Sequence, residues 1–155
     1  MSALFKAIEN RDDYVFMSGF HHWVPGAVAY ERMKALFPGG YKLHLSADQM
    51  EAERVAEAVL PLLRDLNVYH KIIPGPERYA QMNTGRQRGK FITIYSGPAL
   101  ETFTRVVNML DPFLSQRRFL PGPRPLVRLA AEPTEETRIG RSGMLTYLTL
   151  RDFSE

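Results

Sequence analysis

The chain has 155 residues, 45% of them hydrophobic and 24% charged, a length and balance suited to one compact domain with its own core. Twenty Lys and Arg against seventeen Asp and Glu leave a net charge of +3, too little to indicate nucleic acid. The absence of cysteine removes disulfides, thiolate metal sites and cysteine nucleophiles together.

No run reaches the roughly 18 uninterrupted apolar residues of a membrane crossing. The charged stretch from Met1 to Asp13 lacks the apolar centre of an export signal, so a cytoplasmic location is expected, with delivery by a non-Sec route left open. Residues 2–9 are expected to form a short helix and Ala27 to Phe37 a second, stopped by Pro38-Gly39-Gly40. Segment 1–40 is thus expected as a helical piece packed on a main domain spanning 41–155. Within it, Gly19-Phe-His-His-Trp23 suits a lid or a dimer contact. Its adjacent histidines point apart and lack a third ligand, so no metal site is assigned.

Tyr41-Lys-Leu-His-Leu45 alternates apolar and polar residues, the period of a half-buried strand. Ser46-Ala-Asp-Gln49 reads as a capping box, followed by Val55, Val59, Leu62, Leu63 and Leu66 at helical spacing, with Pro61 as an expected kink. Val68 to Ile73 is a second strand, ended by Pro74-Gly75-Pro76, and Lys90-Phe-Ile-Thr-Ile-Tyr95 a third. Between them lies the basic loop Gly85-Arg-Gln-Arg-Gly89, which lacks the Gly-Lys-Ser/Thr ending of a nucleotide-binding loop. Leu100, Phe103, Val106, Val107 and Leu110 mark another helix, with Asp111-Pro112 near its end. Phe119 to Pro125 is a stiff connection, and Leu126 to Ala130 and Met144 to Leu150 are weaker strands around a charged loop. This order predicts a single α+β domain, a mostly antiparallel sheet with helices packed on one face.

Alternation assigns faces. If helices cover Leu43, Leu45, Ile92 and Ile94, the other face presents Lys42, His44, Thr93 and Tyr95, which Lys71 can join. A histidine among lysines is chemically informative, because like charges favour a neutral lysine that can act as a base. The plainer alternative is a solvated polar face of a one-sided sheet. His70 neighbours Lys71 but points the other way and is expected to be structural. Arginines concentrate after Gly85, in a pattern able to hold phosphate or carboxylate oxygens bidentately.

Four segments taken in order carry a resemblance: Tyr41-Lys-Leu-His-Leu-Ser46, Tyr69-His-Lys-Ile-Ile73, Arg88-Gly-Lys-Phe-Ile-Thr-Ile-Tyr95 and Leu120-Pro-Gly-Pro123. Together they resemble the phosphothreonine lyases of type III secreted effectors and the lyase domains of class III and IV lanthipeptide synthetases. The resemblance implies β-elimination of phosphate from a phosphorylated Ser or Thr of a peptide or protein, with no cofactor and no metal. It implies Lys71 as general base and His44 as general acid. Lys42 would polarise the substrate carbonyl, and Tyr95 would orient a lysine or a phosphate oxygen. Arg86, Arg88, Arg138, Arg141 and Arg151 are the candidate phosphate-binding residues. A separate kinase would supply the phosphorylated partner, and the acidic stretch Glu132 to Glu136 would oppose phosphate by repulsion. The alternative function is a non-catalytic module that binds a phosphorylated or anionic partner through the same basic face.

Overall fold

The computed structural model describes residues 4–25, 40–127 and 134–149. The helix expected over Ala27 to Phe37 lies outside these residues, as do most of the strand expected at Leu126 to Ala130 and Arg151. The described strands are β1 (Val15–Met17), β2 (Phe20–Trp23), β3 (Tyr41–Leu45), β4 (Tyr69–Ile72), β5 (Ile92–Gly97), β6 (Thr137–Arg138) and β7 (Leu145–Thr149). They form one antiparallel sheet in the order β1-β2-β4-β5-β3-β7-β6. The helices are α1 (Ala52–Asp65), α2 (Pro76–Met82) and α3 (Leu100–Arg117). An α+β domain with a mostly antiparallel sheet is therefore the observed architecture.

Each pair of cross-strand neighbours shares a face, and the sheet sorts cleanly. Ile72, Ile92, Leu45 and Leu145 form one apolar row across β4, β5, β3 and β7. These residues pack with Val55, Val59, Leu60 and Leu63 of α1 and Val106, Leu110 and Leu114 of α3 in a single core. The stacking of Tyr41 on Phe103 of α3, ring centroids 4.5 Å apart, marks the same face.

Several local expectations are corrected. Residues 6–10 form turns rather than a helix, and residues 15–23 form a β1–β2 hairpin that extends the sheet, so the N-terminal segment is not wholly helical. Its two-residue connection, Ser18-Gly19, has both φ angles positive, at 52° and 86°. That is the type I′ geometry whose twist matches the flanking strands. Ser46 is not the helix cap, because its hydroxyl donates to the Pro123 carbonyl. Asp48 caps instead, accepting the Met50 amide at the start of a 3₁₀ turn that leads into α1. Pro61 and Pro112 both lie inside helices that continue past them. α3 stops only where Arg118 turns left-handed, at φ 55°. Leu126 makes a single bridge to Glu135.

Asp111 on α3 ties down the β6–β7 hairpin by accepting the amides of Arg141 and Ser142 at 2.7 and 3.0 Å. The chain must pass very close to the carboxylate, and Gly140, at φ +80°, permits it: a Cβ there would lie 2.3 Å from the Asp111 carboxylate. Burial opposes the ionised carboxylate and these amides outweigh it, so the carboxyl sits below its ordinary 3.8. Asp111→Ala should lower unfolding free energy by about 1–3 kcal/mol at neutral pH, as two amides lose their acceptor. The gap from wild type should close as pH falls through the depressed carboxyl pKa, where the stabilising charge is lost. Urea unfolding at pH 7 and pH 3 measures both, and an equal gap at the two pH values would contradict the charge's role.

A candidate active site on the polar face of the sheet

The same alternation that builds the core collects polar residues on the opposite face. His22 of β2 lies across from Lys71 of β4, Lys71 across from Thr93 of β5, Thr93 across from His44 of β3, and His44 across from Thr146 of β7. Arg138 of β6 continues the row beside Thr146. A second row runs Tyr69, Tyr95, Lys42 and Leu148. Lys71 and His44 are thus separated by one strand, which sets their backbones about 10 Å apart on one face.

This face is not a solvated surface. His22, His44, Thr93, Thr146 and Tyr69 are all buried, while Lys42, Lys71 and Tyr95 are half-buried. Burying polar groups is costly unless they are bonded, and the bonds are specific. The His44 ring bonds through Nδ1 to Oε1 of Glu136 at 2.7 Å, and the Thr146 hydroxyl donates to the same oxygen at 2.8 Å. Glu136 is itself 0% exposed. A carboxylate against Nδ1 fixes the ring's orientation and leaves Nε2 as the nitrogen for exchange with a substrate. Burial pushes the His44 imidazole down to about 4 against the pull of Glu136, and the charges of Lys42 and Lys90 act with burial.

Beside this pair stands an aromatic wall. The Tyr69 and Tyr95 rings stack with centroids 4.5 Å apart and planes 17° from parallel. Lys42 Nζ lies 5.4 Å and Lys71 Nζ 5.9 Å from the Tyr95 ring centroid. Lys71 also sits 4.2 Å from the centre of the Phe20 ring. Tyr95 therefore stands next to both lysines, and the cation–ring contacts restrict where their amines can point.

The arginines separate by position. Arg138 falls on the row of His44 and Thr146, and Arg86 is exposed in a 3₁₀ turn, Gly85–Gln87. Arg88 donates through Nε and Nη2 to the Arg124 carbonyl and reaches Glu135 at 3.3 Å, so its fork braces the protein. Arg124 in turn donates to the Glu136 carbonyl at 2.8 Å. Arg141 lies in the hairpin end held by Asp111, toward the helical layer. Within the acidic stretch, Glu135 pairs with Arg88 and Arg124, and Glu136 holds His44. His70 is buried among core groups, bonded to the Tyr14 hydroxyl and the Val68 carbonyl. Among the described residues no group of three or more His, Asp or Glu side chains is placed to hold a metal ion.

Glu136, Thr146, Tyr69, Phe20 and His22 are members of this arrangement that the sequence reading did not assign. Glu136 lies 92 residues from His44, and nothing in the spacing joins them. His22 and Phe20 were visible only as part of an aromatic cluster.

The family model described as RamC, N-terminal domain, matches residues 19–129. Among solved structures, the type III effector and phosphothreonine lyase OspF from Shigella flexneri is similar at TM-score 0.60 and 18% identity, over 86% of this chain and 67% of that one. A second structure, solved for the catalytic mechanism of phosphothreonine lyase, is similar at 0.62 and 16%, over 88% and 66%. The phosphothreonine lyase SpvC, the effector protein from Salmonella, is similar at 0.58 and 15%, over 96% and 77%. This chain thus spans about two thirds of the first two. At such identities the likeness is one of fold. No curated protein matches the chain in sequence.

Burial pushes His22, His44 and His70 each down to about 4, so all three stay neutral in the folded protein through mild acid. An unfolded histidine takes up its proton near 6.5. Between pH 6.5 and 4 the unfolded chain therefore binds protons that the native one refuses, and stability should fall as pH drops through that window. NMR titration should show three imidazoles still neutral at pH 5, and urea midpoints should be lower at pH 5 than at pH 7. Three imidazoles titrating near 6.5 would contradict the buried, neutral arrangement.

Proposed function

This chain belongs to the family described as RamC, N-terminal domain, and from that premise we propose that it is a phosphothreonine or phosphoserine lyase acting on a phosphorylated peptide or protein. The observation that carries the reading is the shared row of Lys71, Thr93 and His44 on one face of the sheet, with His44 held by Glu136. Base and acid stand on one face, one strand apart, with Thr93 between them.

In this reaction Lys71, as the neutral amine, takes the Cα proton. The electron pair forms the Cα–Cβ double bond, the Cβ–O bond breaks, and phosphate leaves with the proton delivered by His44 Nε2. The products are a dehydroamino acid and inorganic phosphate, and no water is consumed. Lys42 stabilises charge developing on the substrate carbonyl, and Tyr95 keeps the two lysines apart and oriented. Arg138, on the row of His44 and Thr146, and the exposed Arg86 are assigned to the phosphate oxygens, while Arg88 braces the acidic segment.

The low pKa of His44 fits a substrate-triggered acid. In the free protein the imidazole is neutral near pH 7, and an arriving phosphate dianion beside Lys42 and Nε2 raises its proton affinity. Glu136 then faces the imidazolium and stabilises it. A separate kinase supplies the phosphorylated substrate.

Incubation with a phosphothreonine peptide should yield a product lighter by phosphoric acid that adds thiols, formed equally well with a metal chelator present. Lys71→Ala and His44→Ala should each lower the rate by at least ~100-fold, the usual loss for a general base or acid, while phosphopeptide binding remains measurable. A product that regains its hydroxyl would overturn the lyase reading. Binding without any elimination by the wild-type protein would make the chain a non-catalytic phosphopeptide module.

A further inference from the structure

The β1–β2 hairpin does more than extend the sheet. Its strand β2 places His22 directly across from Lys71, and Phe20 one pleat away on the same face. The His22 ring is 2% exposed and bonded at both nitrogens. Nε2 meets the Met17 carbonyl at 3.1 Å, and Nδ1 meets the Tyr69 hydroxyl at 2.7 Å. A carbonyl can only accept, so Nε2 carries the proton. Nδ1 is then the bare nitrogen, and the Tyr69 hydroxyl donates to it. Tyr69 is thereby fixed in rotation, and its ring stacks on Tyr95, which borders both lysines.

We propose that His22 is a positioning residue for Lys71, acting through Tyr69 and Tyr95 on one side while Phe20 of the same strand bounds the amine on the other. The reading rests on Lys71 being the base of the proposed elimination. The chain of contacts runs Met17 carbonyl, His22, Tyr69, Tyr95, Lys71, and the first two members belong to the hairpin. The direction of the hydrogen bonds matters: a protonated His22 has no lone pair for Tyr69 and sets a positive charge beside Lys71. Burial holds His22 neutral, which keeps the chain intact at neutral pH. Phe20 also bears on chemistry, because its ring lies 4.2 Å from Lys71 Nζ and its face attracts the charge that develops there as the Cα proton is taken.

The test compares His22→Leu, Tyr69→Phe, the double variant and His22→Asn, whose side-chain oxygen can still accept from Tyr69. Loss of the hydrogen bond should lower kcat about tenfold with KM within about twofold, in either single variant and to no greater extent in the double one. His22→Asn should recover most of the loss. Tyr69→Phe removes one oxygen only and carries the test if His22→Leu does not fold. A second readout is independent of turnover: acetylation of Lys71 by limiting acetic anhydride, followed by peptide mass spectrometry. That rate should change by at least about threefold in Tyr69→Phe, as the amine's surroundings change. Wild-type kcat and wild-type labelling in folded variants would overturn the proposal. If the wild-type protein eliminates nothing, altered labelling still supports positioning while the lyase reading falls, and unaltered labelling overturns positioning as well.

Discussion

The register of β3 between β5 and β7 is the constraint on which the rest depends. Because side chains alternate across a strand, the pairing that sets Leu45 against Ile92 and Leu145 also sets His44 against Thr93 and Thr146. A slip of one residue would bury Lys42 and His44 among the helices and turn Leu43 and Leu45 outward. The apolar rows against α1 and α3 therefore fix the polar rows opposite them. The free energy of the core is what holds the site's geometry, since polar residues on an open face could not specify a register alone.

Burial of the polar face around His44 gives the site its character. A one-sided sheet normally leaves its second face to water, and there His44 would be an ordinary exposed histidine. Here the imidazole is enclosed with a carboxylate and a hydroxyl, each bonded to a neighbour. Such a network is costly to disturb by halves, because removing one member leaves the others buried without partners. In the low-dielectric interior the same groups respond strongly to an arriving charge, and that property suits an acid needed only when phosphate is present.

Glu136 reaches His44 through a scaffold built from distant loops. Gly89 lets the chain at Pro123 approach so closely that a Cβ would come within 2.0 Å of its carbonyl. Ser46 at the end of β3 donates to that same carbonyl. Arg88 and Arg124 then clamp the Glu135–Glu136 segment from behind. The basic loop and the acidic stretch, which look like opposing charges competing for phosphate, act on each other.

Period and composition alone determined that Tyr41 to Leu45, Val68 to Ile73 and Lys90 to Tyr95 are strands, that two amphipathic helices cover one face, and that Lys42, His44, Thr93 and Tyr95 share the other. These are local properties, carried by alternation within a few residues. The β1–β2 hairpin was within reach of the same reading through Ser18-Gly19, but strands of 3 and 4 residues are too short for periodicity to reveal them. Only the tertiary structure decided that Lys71 joins the row of His44, that Glu136 rather than an arginine lies behind the imidazole, that Arg88 braces the chain, and that His22 reaches Tyr69. Each of these depends on strand order and on contacts between residues 36 to 92 positions apart. No local pattern encodes which distant side chain closes a buried hydrogen bond, because that choice is made by the packing of the whole sheet.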